Sequence, residues 1–465
     1  MSRHFSYQPN VPGKGIVASY GTKFWGLVVT IGVVAGLGAA VLTLLLNAVE
    51  RTSWDYRSGT FLSAVMRSGA DRRLVVLFLA GVVAGVGGLL IRRVPGAGPG
   101  EISDGLWLGG ARLVFWRSQA RGVLSILIVG MGASLGREAA PQLTGAAAAS
   151  KLSEWAQVPA WQRQLLVACG AGAGMAAIYN VPLGGALFAV EVLLGTLTLP
   201  IVLPAIATCA IATAVGWIVI PTHATYQIPT YGVTGSLIVW AVIIGPLAGL
   251  LAVGWVRAIA RVNGLKPSRW GRVVTPIVIF TGLGALAIAY PQLLGNGKDT
   301  VQEALTNHLG VVLLLVLLAL KPLATTACLG AGSPGGMFTP TLTIGVLLAG
   351  ALGTVWNHIW GGVPIGSYAV IGGAAFLAAA MQGPLSGVVL MLELTRNFDS
   401  LMAPTLLAVA IATVISRRLG APSIYSARLR PDPDALSARS AGAAAINTLD
   451  RSGVVPPDDD ETAAP

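Results

Sequence analysis

Gly136-Arg137-Glu138-Ala139-Ala140 opens one apolar stretch, and 200 positions later Gly336-Met337-Phe338-Thr339-Pro340 opens another. Two Gly-led helix starts at a fixed spacing, one of them carrying a lone carboxylate, decide the reading of the whole chain. An ionised Glu in hydrocarbon is costly unless it is paired or faces water, so Glu138 reads as a site on an ion pathway. The spacing persists outward. Gly145 and Gly345 keep the offset of 200, and Asn180-Val181-Pro182-Leu183-Gly184-Gly185 returns as Gln382-Gly383-Pro384-Leu385-Ser386-Gly387 at 202, an offset that Glu191 and Glu393 share. Matched landmarks at nearly constant separation describe duplicated halves of about 200 residues around a shared midplane site.

Composition places those halves in a membrane. Hydrophobic residues are 54% and charged residues 11% of 465, against roughly 25% charged in a soluble domain. The runs 24–49, 74–91, 231–256 and 273–290 are each long enough to cross a core of about 30 Å as helix. The stretch 322–357 is too long for one span and is broken by Gly332, Ser333, Pro334, Gly335 and Gly336, which predicts discontinuous helices whose ends meet inside the protein. The expected organisation is 1-22 as a cytoplasmic N-terminal segment, 23-225 and 226-425 as two membrane repeats, and 426-465 as a disordered cytoplasmic tail rich in Ala, Pro, Asp and Arg. The first apolar run is too long for the core of a cleavable signal, so none is expected.

The net charge of +11 does not point to nucleic acid. Lys and Arg sit dispersed at the ends of apolar runs, as in Arg72-Arg73, Arg92-Arg93 and Arg417-Arg418, a topological pattern. Cys169, Cys209 and Cys328 lie inside apolar segments without disulfide or metal spacing, and the four histidines form no spaced set, so no metal or cofactor is expected. An intramembrane hydrolase would need a nucleophile with a base or a metal cluster, and a pump would need a nucleotide-binding motif; the sequence supplies neither, and an enzyme is not expected. A cation carrier would need several intramembrane acids facing one site. Broken helix starts present unpaired N–H groups and the positive end of the helix dipole, and glycines at 96, 98, 136, 335 and 336 let backbone approach closely. The substrate is therefore read as a small anion.

The sequence resembles the CLC family of chloride channels and proton-coupled chloride antiporters. The resemblance runs from about residue 25 to 430 and rests on Gly96-Ala97-Gly98-Pro99-Gly100-Glu101, Gly136-Arg137-Glu138-Ala139-Ala140-Pro141, Gly336-Met337-Phe338-Thr339-Pro340 and a tyrosine after the last helix in Ile424-Tyr425-Ser426. It implies an all-α polytopic membrane protein with the CLC-type fold, two inverted-topology repeats with tilted and broken helices, in a lipid bilayer of the cell membrane and assembled as a homodimer. By that resemblance Glu138 is the gating residue and proton acceptor. Its carboxylate would occupy an anion position and leave on protonation; the plainer role for such a Glu is to complement the dipole of its own helix. Gly96, Ala97, Gly98, Arg137, Ala139, Met337, Phe338 and Tyr425 would bind chloride or other monovalent anions. Arg121 falls where the family keeps a buried cation, or else marks a cytoplasmic helix end.

Two departures bear on function. Where many members place a serine hydroxyl against the central anion this chain has Ala97, which removes a contact of about 0.5–3 kcal/mol and leaves chloride over nitrate unsecured; the methionine of the fluoride-exporting branch is absent there too. The second, inner glutamate of many antiporters falls at Val192, one residue past Glu191, and valine carries no proton. Glu191 itself, like its mate Glu393, reads as a helix-end carboxylate paired inside the protein. The reading leans to proton-coupled anion exchange, with a passive voltage- or pH-gated chloride channel as the alternative. Small-residue runs such as Ala146 to Ala149 suit close helix packing without identifying a dimer surface.

Overall fold

A computed structural model describes residues 20–95, 101–107, 110–265, 267 and 270–429. Among these, seventeen α-helices follow one another without a β-sheet. The first half contains α1 (Thr22–Trp54), α2 (Phe61–Arg67), α3 (Ala70–Arg93), α4 (Ile102–Trp107), α5 (Phe115–Gly130), α6 (Ala139–Trp155), α7 (Ala160–Tyr179), α8 (Pro182–Leu187) and α9 (Leu199–Gly216). The second contains α10 (Gly235–Gly264), α11 (Gly271–Ala289), α12 (Lys298–Leu305), α13 (Val311–Gly330), α14 (Phe338–Ile359), α15 (Ile365–Met381), α16 (Pro384–Thr395) and α17 (Phe398–Arg418). Eight of the described helices are long and apolar enough to span a membrane. Of the four apolar runs read from the sequence, 24–49 and 74–91 lie within α1 and α3, while 231–256 begins four residues before α10 and 273–290 ends one residue past α11; the 322–357 stretch divides as expected into α13 and α14 with a break at 331–337.

The repeat is built into the backbone. Helices α5 and α13 both end in a turn whose second residue is a glycine at positive φ, Gly132 (φ 108°) and Gly332 (φ 84°), a conformation that spares only a residue without a Cβ from strain. Each segment then meets the other within a few residues. Gly136 N–H donates to the Gly336 carbonyl and Gly336 N–H to the Gly136 carbonyl, both at 2.8 Å, an antiparallel bridge that pairs the two halves at their shared centre. Helices α6 and α14 start from this bridge, so both N-termini are delivered to the middle of the protein. Further on, α7 and α15 stop at left-handed Asn180 (φ 57°) and Gln382 (φ 59°), and Pro182 and Pro384 start α8 and α16 with φ already helical.

Close packing of small residues holds these broken helices in place. Where α6 crosses α7, a Cβ on Gly145 would overlap the Gly170 carbonyl and one on Gly170 the Gly145 carbonyl, so the backbones touch with no side chain between. The alanines 146–149 are buried in the same region, so this small-residue run works inside the subunit. Helices α14 and α15 pack in the same manner in the second half, where a Cβ on Gly345 would press on Phe376. The three cysteines are buried and free.

One buried cation ties the segment after α11 to this frame. Lys321 on α13 is 1% exposed, and its ammonium donates to the carbonyls of Leu293 (3.0 Å) and Gly295 (3.2 Å). Gly295 N–H in turn donates to the Gly132 carbonyl at 2.9 Å, next to the bridge. Lys321→Met keeps the packing but strands both carbonyls, at about 1–3 kcal/mol for each buried group left unpaired. A clearly lower unfolding temperature in detergent is the expected result; an unchanged one would show that the two contacts carry no net stability.

Candidate anion site

Glu138 sits at the bridge and is 1% exposed. It is the N-cap residue of α6, yet its side chain makes no capping bond to the first turn of that helix. It reaches across to the other half. Phe338 N–H, the first of α14, donates to Oε1 at 2.7 Å. Oε2 accepts from the Tyr179 hydroxyl at 3.0 Å and the Thr339 hydroxyl at 3.2 Å, and those two hydroxyls lie 2.5 Å apart. A carboxylate thus rests on the positive end of a 22-residue helix with three donors converging on it. Complementing its own dipole, the plainer role, does not describe this geometry. The glycines of the bridge make the seat possible: a Cβ on either Gly136 or Gly336 would overlap the Glu138 carboxylate.

On one side of Glu138 lies a cavity of about 70 Å³, lined by Ala139, Gln142, Gly336, Met337 and Tyr425 near the carboxylate and by Glu101, Arg121 and Arg428 further out. A water needs only about 10–15 Å³ of such space, so the cavity is roomy enough for a small anion. Tyr425 reaches it from beyond α17 and is fixed by Phe188, whose ring lies edge-on at 5.2 Å. Its hydroxyl is buried with no hydrogen-bond partner among the described residues. Arg121 donates to Glu101 at 2.7 Å, and Arg428 stands 3.5 Å from the other oxygen of the same carboxylate. Arg121 is therefore half of an ion pair at the cavity wall rather than a helix-end marker in water.

Arg137 points elsewhere. It does not line the cavity; its guanidinium lies 5.3 Å from the centre of the Tyr179 ring, and its Nε is buried without a partner among the described residues. It backs the tyrosine that holds Glu138. Ala139, Met337, Phe338 and Tyr425 are brought together at the cavity or the carboxylate, whereas Gly96, Ala97 and Gly98 lie outside the described residues. Val192 is buried in a π-helical turn, Phe188–Leu193, away from the described cavity lining.

The neighbouring Glu191 has a different task. Its carboxylate accepts from the N–H groups of Leu385 (3.1 Å) and Ser386 (2.6 Å) and from the Ser386 hydroxyl (2.6 Å), all in the first turn of α16. Glu393, near the end of α16, accepts from Leu183 N–H (3.1 Å) and Gly184 N–H (2.6 Å) in the first turn of α8. Each half caps the other's short helix.

Sequence reasoning left Tyr179, Thr339, Gln142, Glu101 and Arg428 without a role. Thr339 and Glu101 sit inside quoted motifs, and Tyr179 immediately precedes the repeated Asn180 segment, so proximity to a landmark was the available signal. Nothing local marks Gln142 or Arg428.

The family model described as "Voltage gated chloride channel" matches residues 76–417. "Voltage-gated ClC-type chloride channel ClcB" of Escherichia coli, strain SMS-3-5 / SECEC and equally strain K12 / DH10B, is 30% identical over 418 residues, covering 85% of this chain and 96% of the relative. The chain belongs to the CLC family of anion transport proteins, and is a multi-pass membrane protein. Among solved structures, that of a slow cyanobacterial Cl−/H+ antiporter superposes with a TM-score of 0.77 at 21% identity, covering 88% of this chain and 97% of that one. A CLC-type fluoride/proton antiporter gives 0.71 at 18%, covering 90% and 99%. These likenesses establish the fold: inverted-topology repeats with tilted and broken helices.

Proposed function

We propose that this protein exchanges chloride, or a similar small monovalent anion, for protons, with Glu138 as both gate and proton acceptor. The observation that carries this reading is the placement of the Glu138 carboxylate on the first N–H of α14 and on two hydroxyls, beside a cavity. A side-chain anion and a mobile anion compete for one set of donors. Adding a proton to the carboxylate removes its charge and weakens its hold on the Phe338 N–H, which frees the donors for the mobile ion. Met337, Phe338, Ala139 and Tyr425 would surround that ion, and Gly96, Ala97 and Gly98 would complete the seat. Arg137 and Arg121 would keep the potential favourable to anions on either side. The resemblance further supports a homodimer with one pathway in each subunit.

Val192 favours a second reading, a passive chloride channel, because no titratable side chain stands at the inner proton position. Exchange then needs water to carry the proton to Glu138. Purified protein in liposomes distinguishes the two. An outward chloride gradient should drive proton uptake against a proton gradient, recorded as a rise in external pH. Fast chloride efflux with no proton movement would establish the channel instead, and no anion movement at all would remove both readings.

A further inference from the structure

We propose that Gln142 and Ser125 are side-chain donors to the mobile anion, an assignment that rests on the transport reading and deepens it. Both belong to buried parts of helices that meet at the cavity, Ser125 on α5 and Gln142 one turn into α6 from Glu138. Gln142 is 4% exposed and Ser125 1% exposed. The Ser125 hydroxyl nonetheless has no hydrogen-bond partner among the described residues, and the Gln142 amide and the Tyr425 hydroxyl on the same cavity meet only each other, outside good hydrogen-bond geometry. A buried donor left unpaired costs about 1–3 kcal/mol; folded proteins carry a few such groups per hundred residues, so it is their convergence on one wall that is informative. Three on the wall of one small cavity describe a site built for an acceptor that arrives from outside the chain.

The acceptor's chemistry follows from the donors. Two hydroxyls and an amide N–H₂, with α14's N-terminus alongside and the Arg121 and Arg428 charges on the same wall already paired with Glu101, suit a compact monovalent anion of halide type that needs several weak donors in place of its water. A cation is disfavoured, since the amide nitrogen and the helix N-terminus both present hydrogens. Position 97, an alanine, offers no side-chain donor; Gln142 and Ser125 would supply on α5 and α6 what that segment lacks.

The test is chloride titration calorimetry on the purified full-length chain carrying Glu138→Gln, so that the carboxylate does not compete. Gln142→Met preserves length and shape, and Ser125→Ala removes a single oxygen, so at least one variant is expected to stay monodisperse with the parent's unfolding temperature. A hydrogen bond to an ion is strong enough that each loss should weaken chloride binding about ten-fold. Binding within about two-fold of the parent in either well-folded variant removes that residue from the site and overturns the assignment as stated. If the Glu138→Gln parent binds no chloride, it is the transport reading that fails, and the assignment falls with it.

Discussion

Glu138→Gln will keep anions moving and stop protons moving with them. Glutamine has the shape of glutamate and still offers an oxygen to the Phe338 N–H, so the fold around the bridge is preserved. It carries no charge and takes up no proton at any working pH. Hydrogen bonds to an ionised acceptor are roughly twice as strong as neutral ones, and a bond to a charged group is worth about 1.5–3 kcal/mol. The neutral side chain therefore yields its donors to chloride about ten-fold or more readily at neutral pH. In liposomes, chloride-driven proton uptake should fall to background while chloride efflux rises. The pH profile provides a second check. Acid adds a proton to the native carboxylate and weakens its grip, so native efflux should climb as pH falls, and the variant should be flat. Proton uptake persisting in Glu138→Gln would dismiss Glu138 as the proton acceptor.

Gly336→Ala is expected to block transport in a protein that still folds. The three atoms nearest the added Cβ would all belong to the Glu138 carboxylate, the far end of a flexible side chain. The bridge, made by the backbones of Gly136 and Gly336, does not depend on the missing side chain. The methyl would nevertheless stand in the space that the carboxylate vacates for the ion. Forcing a methyl into a filled site costs about 1–3 kcal/mol, equivalent to about a five- to hundred-fold loss of occupancy. Anion efflux should fall by about that factor with a monodisperse, dimer-sized or monomer-sized elution unchanged from native. Native-like efflux would mean that the ion's route does not pass the seat that Glu138 fills.

The fold was legible because lipid leaves few choices. A chain with 11% charged residues and uncharged runs of helix-spanning length has to be a helical bundle, and Gly-rich interruptions inside overlong runs have to be breaks that meet within protein. Glu138 was legible for the same reason: a carboxylate there needs partners. The identity of those partners was not. Tyr179 is the last residue of a small-residue helix, and Thr339 is one hydroxyl among many in α14, so only the packing of α7 on α6 and the meeting of the two halves show that both face Glu138. Gln142 was unreadable because a glutamine one turn into a helix looks like an ordinary polar position; its lack of a partner exists only in three dimensions. The resemblance implies an anion-binding Arg137, but not the direction its side chain takes. Successive helix-start residues point in different directions, and it backs Tyr179 instead. The π-helical turn at Phe188–Leu193 leaves no pattern in the sequence either, since its hydrogen-bond register differs from an α-helix by a single residue.

The crossed carboxylates at Glu191 and Glu393 carry a consequence for biogenesis. When the ribosome has made Glu191, the amides that will donate to it do not yet exist, because Leu385 and Ser386 lie almost 200 residues ahead. At about 5–20 residues per second, that half waits on the order of 10–40 s in the bilayer with an acidic side chain lacking its donors, and the first turn of α8 lacks Glu393 for as long. Neither half is therefore expected to mature as an independent insertion unit. Split into two separately translated polypeptides, the protein should accumulate only when both pieces are made together, each acting as the other's assembly factor.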